Sequence, residues 1–235
     1  RYLFNSPETV DLRFFDLMLA TNTDEALRIA AESGTPIINV LVGDRAGKVG
    51  WTIAGRLPRR VGKTGSQIVS WADGSNTWSG WLSPAEHPRL SSPEVSRVFS
   101  ANHRQLGSDA YLSLARASSE LGARAKQIRD ALAGLTNATS ADMVAIQLDD
   151  RALLLERWRE LLLTTLRDPK AHAALMTNVT EIIELVSKWN GRATPDSVGY
   201  RLLRGFRATT LEYVFEPLTT KAAKLSGERV GRFWD

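Results

Sequence analysis

Residues 39 to 60 read NVLVGDRAGKVGWTIAGRLPRR: an apolar run, a charged turn, a second run through Trp51 and a basic tail around Pro58. Side chains alternate faces along a strand, so PIINVLV (36–42) and KVGWTIA (48–54) read as two strands. GDRAG between them makes an antiparallel β-hairpin, with glycines where positive φ is needed. Asn39 shares its face with Ile37 and Leu41, where strand chemistry asks for another apolar residue. A buried amide without partners costs about 1–3 kcal/mol, so this one should be hydrogen-bonded. Two readings stand. Either Asn39 bonds the backbone of a neighbouring loop, or its NH2 is a fixed donor to a substrate oxygen, as in an oxyanion hole. Asp44 starts the turn, since Asp accepts hydrogen bonds from nearby backbone amides. Arg56, Arg59 and Arg60 pose a similar choice between solvated or paired cations and an orienting role. Arg60, after the rigid Pro58, could hold a carboxylate or tune the pKa of an amine.

Outward from the hairpin, the chain splits by pattern near Gly107. Before it, glycines, prolines, tryptophans and short β-branched runs dominate; after it come helical periodicities rich in Leu, Ala, Arg and Glu. DLRFFDLMLATN predicts a short helix. TDEALRIAAES predicts another, capped by Thr23 or Asn22 and stopped at Gly34. QIVSW (67–71) reads as a further short strand, and 73–102 as loop. In the second half, helices are expected from about Asp109 to Leu135, in one long run after Thr139 or Ser140, and over HAALMTNVTEIIELVSKWN. A last one starts near Asp196. Ile182, Leu185, Val186 and Trp189 fall on one face of the third. The expected division is 1–107 and 108–235, in an α+β chain.

Composition narrows the function. Hydrophobic content of 43 % and charged content of 24 % fit a globular chain. No apolar run approaches the roughly 18 residues that would span a membrane. The absence of cysteine removes disulfides, thiolate metal sites and a cysteine nucleophile within these residues. The charge of +4 is spread among acids except at 56–63, RLPRRVGK, and one short basic patch does not make a nucleic-acid surface. His87, His103 and His172 are too dispersed for a metal site, and GDRAGKVG and VGKTGSQ lack the phosphate-loop spacing. Asp149 and Asp150 read as a solvated or capping pair, and the tryptophans at 78 and 81 as packing.

The order and spacing of four segments do more. NVLVGDRAGKVGWTIAGRLPRR resembles the hairpin of the penicillin acylase family of N-terminal-nucleophile (Ntn) amidohydrolases, which carries an Asn, an Asp and Gly in the turn, and a Gly-Arg-x-Pro-x-Arg ending. WSGWLSPAEHPRLSSPEVSRVFSANHR resembles its Trp-x-Gly, Pro, Asn-Pro and Ala-Asn-Asn segment. IQLDDRALLLER is similar to its Gln-x-Asp helix, and WNGRATPDSVGY to its Trp-Asp-Gly…Ser-x-Gly segment. Together these span about residues 10 to 205. Ser92, His103, Asn190 and Gly43 depart from the family's Asn, Asn, Asp and Ala.

The resemblance implies a fragment of the four-layer αββα Ntn-hydrolase fold, from the middle of a β subunit. It implies hydrolysis of a linear acyl-amide bond by an N-terminal Ser or Cys that lies outside this chain, which begins at Arg1. Asn39 matches the family's oxyanion-binding asparagine, and Arg60 the arginine near the nucleophile's amine. The implied partners are an α subunit, the remainder of the β subunit and a small acyl-amide substrate. Autocatalytic processing and a periplasmic or secreted location come with it. No cofactor is implied, although some relatives hold a structural calcium whose ligands cannot be placed here. An incomplete sheet should leave an open, adhesive edge. The competing expectation is a catalytically incomplete helical interaction module on a relic of this fold.

Overall fold

The computed structural model describes residues 3–62, 69–107, 110, 114, 119–170 and 178–226. The chain divides into two compact units, Arg1–Leu132 and Ala133–Asp235.

In the first unit the hairpin forms as expected. Strand β1 (Ile38–Gly43) pairs antiparallel with β2 (Val49–Ala54), in a register that sets Asn39 opposite Ile53 and Leu41 opposite Trp51. Asp44 holds the turn: its Oδ1 accepts from the N–H groups of Ala46 (2.9 Å) and Lys48 (3.0 Å). Its Oδ2 accepts from the Thr23 N–H at 3.2 Å, which ties the turn to helix α1 (Thr23–Glu32). The Thr23 hydroxyl donates to the Lys48 carbonyl in the same corner.

Asn22 caps α1 through its side-chain oxygen and the Glu25 N–H, at 2.9 Å. The helix ends at Glu32, two residues ahead of Gly34, where the Ser33 hydroxyl donates to the Ile29 carbonyl. Its buried stripe, Thr23, Ala26, Leu27, Ala30 and Ala31, follows the three-and-four spacing of one helical face. That face lies on β2: a methyl at Gly50 would fall 2.7 Å from Leu27 Cδ1 and 2.9 Å from Thr23 Cγ2, so any larger residue there would push these side chains aside. Side chains alternate, so Asn39, Leu41, Trp51 and Ile53 share the opposite face of the sheet. Residues 13–19 form a helix of the tighter 3-10 kind, leaving Leu12, Phe15, Met18 and Leu19 exposed.

Residues 73–102, expected as loop, contain two short strands. β4 (Thr77–Trp81) pairs with β3 (Pro58–Val61), and β5 (Arg89–Ser91) adds to the free side of β2, giving the order β1-β2-β5. Short strands among prolines and glycines carry little alternation; pairing with a neighbour makes them strands. Of QIVSW, residues 67 and 68 lie outside the described residues, and 69–71 are not strand.

His87 is fully buried in this unit. Its Nε2–H donates to the Ile53 carbonyl at 2.7 Å, and its Nδ1 is buried without a hydrogen-bond partner among the described residues. Burial pushes its pKa below the ordinary 6.5, and the bond to Ile53 only partly opposes this. The unfolded chain therefore binds a proton that the folded chain refuses. Stability should fall as pH drops below about 6.5, and His87→Asn should flatten that slope; urea midpoints at pH 7.5 and 5.5 give the test.

Helix α2 (Ala123–Ala133) follows, and the rest of the helix expected from Asp109 lies largely outside the described residues. The long helix expected after Thr139 is broken. Thr139 does cap α3 (Ser140–Gln147), in a reciprocal capping box with Asp142. The chain then turns at 148–152 before a single 3-10 turn and α4 (Glu156–Arg167). Asp149 pairs with Arg151 at 2.6 Å and Asp150 with Arg192, while Ala152 and Ala193 donate backbone N–H bonds to Gly191 and Asp150. These bonds seat the 150s segment against the turn at 191–193 in place of a continuous helix.

The second unit's core joins Leu155, Leu162 and Leu166 of this region to Val179 and Val186 of α5 (Val179–Ser187), then Trp189, and Leu203 of α6 (Val198–Ser226). Trp158 meets Phe206 edge-on at 6.0 Å. α6 begins hard against α5: a methyl on Gly199 would lie 2.8 Å from the Leu185 carbonyl oxygen and 2.9 Å from Trp189 Cβ. Helix propensity alone favours Ala over Gly by about 1 kcal/mol. Here the clash, typically about 1–3 kcal/mol for overpacking, should prevail, so Gly199→Ala should lower the Tm in a thermal melt.

Candidate active site

Asn39 sits on β1, at the open edge of the three-stranded sheet among the described residues, and its side chain is exposed. Its oxygen Oδ1 accepts a 2.8 Å hydrogen bond from the indole Nε1–H of Trp51. The two are diagonal neighbours across the hairpin, since Trp51 opposes Leu41 and Asn39 opposes Ile53. Trp51 is only 1 % exposed, so its N–H must find a partner. The sequence left open whether Asn39 bonds loop backbone or presents a donor. In the structure its carbonyl end bonds a side chain of the same hairpin, and its NH2 end makes no hydrogen bond among the described residues.

Arg60 lies on the other sheet. It is half-buried on β3 opposite Trp78, and burial lowers its pKa from the ordinary value. Its neighbour Arg59 is exposed and paired, donating two bonds to Glu86 at 2.7 and 2.6 Å. That pair, with the Ser83 N–H and hydroxyl, holds the Glu86 carboxyl down at about 2. Arg56 keeps its Nε buried with no hydrogen-bond partner among the described residues. The three arginines thus differ in exposure, with Arg59 at the surface and Arg56 and Arg60 drawn inward, a difference that their shared position after β2 does not reveal.

Two features escaped the sequence reading. One is the Trp51 bond, which follows from counting the register outward from the Asp44 turn. The other is a bulge in β4. Pro58 opposes Trp81 and Arg60 opposes Trp78, so two steps on β3 face three on β4. The extra residue is accommodated at Gly80, whose φ of +105° suits glycine. The bulge turns Trp78 and Trp81, which regular alternation would set on opposite faces, to the same side as Arg60. Their ring centres lie 6.4 Å apart, and Trp71 meets Trp78 edge-on at 5.9 Å. Among the described residues no three His, Cys, Asp or Glu side chains gather as a metal site.

The chain matches the penicillin amidase family model over residues 2–234. It is 27 % identical, over 152 residues, to the acyl-homoserine lactone acylase QuiP of Pseudomonas fluorescens strain Pf-5, covering 63 % of this chain and 18 % of that protein. To the same-named acylase of P. fluorescens strain Pf0-1 it is 31 % identical over 149 residues, covering 62 % of this chain and 17 % of that one. The chain thus matches less than a fifth of the length of these curated relatives. In structure it resembles a thermostable penicillin G acylase from Alcaligenes faecalis, with a TM-score of 0.54 and 16 % identity over 78 % of this chain and 32 % of that one. At such identity the likeness speaks to fold: a mixed helix and antiparallel-sheet fragment of the penicillin acylase Ntn arrangement, as expected. The family model covers nearly every residue, and the chain belongs to the penicillin amidase family.

Proposed function

We propose that this chain is part of an amidase that hydrolyses a linear acyl-amide bond, and that Asn39 donates a hydrogen bond to the tetrahedral oxyanion. The observation that carries the reading is the exposed Asn39 side chain, its oxygen already engaged and its NH2 end without a partner among the described residues, in a penicillin amidase family chain. In the proposed reaction an N-terminal Ser or Cys, outside these residues, attacks the carbonyl carbon while its own α-amine takes the proton. The carbonyl oxygen becomes an oxyanion beside Asn39 Nδ2. Collapse of the intermediate expels the protonated amine and leaves an acyl-enzyme, which water hydrolyses to the carboxylic acid and free nucleophile.

Arg60 is the second proposed site residue. A half-buried guanidinium close to the α-amine would disfavour its protonation and keep it a base near neutral pH. The proposed partners are an α subunit and the rest of a β subunit formed by autocatalytic processing, in a periplasmic or secreted setting. Candidate substrates are β-lactam side-chain amides, acyl-homoserine lactones and acylated lipopeptides. No cofactor enters the scheme.

The test incubates the complete protein with acyl amides of each class and follows acid and amine release by mass spectrometry. A stoichiometric acyl adduct on an N-terminal Ser or Cys is expected; turnover without an adduct, or no turnover of any class, would count against the proposal. The second reading, an interaction module without catalysis, draws on the exposed Tyr213, Val214, Leu218 and Leu225 of α6. It predicts no turnover.

A further inference from the structure

We infer that Trp51 is a positioning residue that fixes which end of the Asn39 amide faces the reacting carbonyl. This rests on the oxyanion reading of Asn39 and adds to it the group that makes such a role possible.

An asparagine side chain has two chemically opposite ends of nearly equal shape. Turned one way it offers N–H donors to a developing negative charge; turned the other way it offers a carbonyl oxygen, which repels that charge. On an exposed strand a free amide samples both. The indole nitrogen breaks this symmetry, because Trp Nε1–H is a donor only and can be satisfied only by the oxygen end. The 2.8 Å bond from Trp51 Nε1 to Asn39 Oδ1 therefore aims Nδ2 away from the indole. The anchor is itself fixed: Trp51 is 1 % exposed and lies in strand between Leu41 of β1 and Leu90 of β5. Since neither partner needs to move when charge develops, the donor is preorganised.

The reverse dependence is also real, because Asn39 satisfies a buried indole N–H that would otherwise be stranded. If that were its whole role, Trp51 and Asn39 would matter to stability and leave kcat alone. The experiment separates these cases in the complete protein. Trp51→Phe removes the donor, and Trp51→benzothienylalanine removes it while keeping the ring's volume, which guards against a packing defect. Each is combined with Asn39→Ala.

Both Trp51 substitutions should lower kcat about tenfold, part of the 100- to 1,000-fold loss typical of a deleted oxyanion donor, with KM within about twofold. In the Asn39→Ala background the same substitutions should lower kcat no further. Unchanged kcat in the benzothienyl variant, with Asn39→Ala impaired, would overturn the positioning role and leave the oxyanion reading standing. An equal loss in both backgrounds would likewise overturn it, assigning Trp51 to packing. If Asn39→Ala itself keeps wild-type kcat, the oxyanion reading falls and the positioning role with it.

Discussion

Asn39→Ala should cut kcat for acyl-amide hydrolysis by about 100- to 1,000-fold, the usual consequence of deleting one oxyanion donor, and leave KM nearly unchanged. The bond it loses strengthens only as the carbonyl oxygen gains charge, so binding of the uncharged amide barely registers the change. Asn39→Asp should be at least as damaging, since it places a carboxylate where negative charge must develop. A structural cost accompanies the alanine substitution, which removes the side-chain oxygen. Without Asn39 the buried Trp51 N–H loses its acceptor, and a stranded donor of this kind costs about 1–3 kcal/mol. Kinetics should therefore be measured well below the variant's Tm. A kcat within twofold of wild type would remove Asn39 from the chemistry.

Trp189→Ala should be the most destabilising single change in the second unit. The side chain is 5 % exposed at the junction of α5 and α6, packed in the cluster with Val186 and Leu203, and its indole N–H donates to the Arg192 carbonyl at 2.8 Å. Truncating a buried Trp to Ala costs about 3–5 kcal/mol, a large part of the roughly 5–15 kcal/mol that holds a typical domain folded. Denaturant unfolding read by circular dichroism at 222 nm measures the loss, because α4, α5 and α6 should melt together. Trp189→Phe keeps an aromatic ring and gives up the bond to Arg192, so it should fall between wild type and Ala. Near-equal midpoints for Ala and wild type would show that the cluster does not depend on this residue.

The parts of this fold that were legible in the sequence are those whose burial has a period. Exposure alternates along β1 from Asn39 on, α1 carries a three-and-four stripe, and 182, 185, 186 and 189 mark one face of the α5 region. The parts that were not legible depend on distant partners. β5 is three residues long and is a strand because β2 lies beside it. The apolar run after Thr139 looked continuous, yet Asp149 and Asp150 form ion pairs with Arg151 and Arg192 at a turn, and the helix yields. At the site, Asn39 was conspicuous as an amide among apolar residues, and the family resemblance supplied its candidate role. Its orientation was invisible, because a diagonal contact requires the register, and the register requires the turn.

The tie from Asp44 to the first residue of α1 has a consequence for the order in which the chain can assemble. Its carboxylate bonds Thr23, Ala46 and Lys48, so helix, turn and both hairpin strands close within a short stretch of consecutive chain, Thr23 to Ala54. Loops this short cost little entropy to close, and contacts of low sequence separation form on the fast side of folding. The scaffold that carries Asn39 can thus take shape on a ribosome before β5 and the helices beyond it have been made. The amide then waits on a finished hairpin for the later-made chain to arrive.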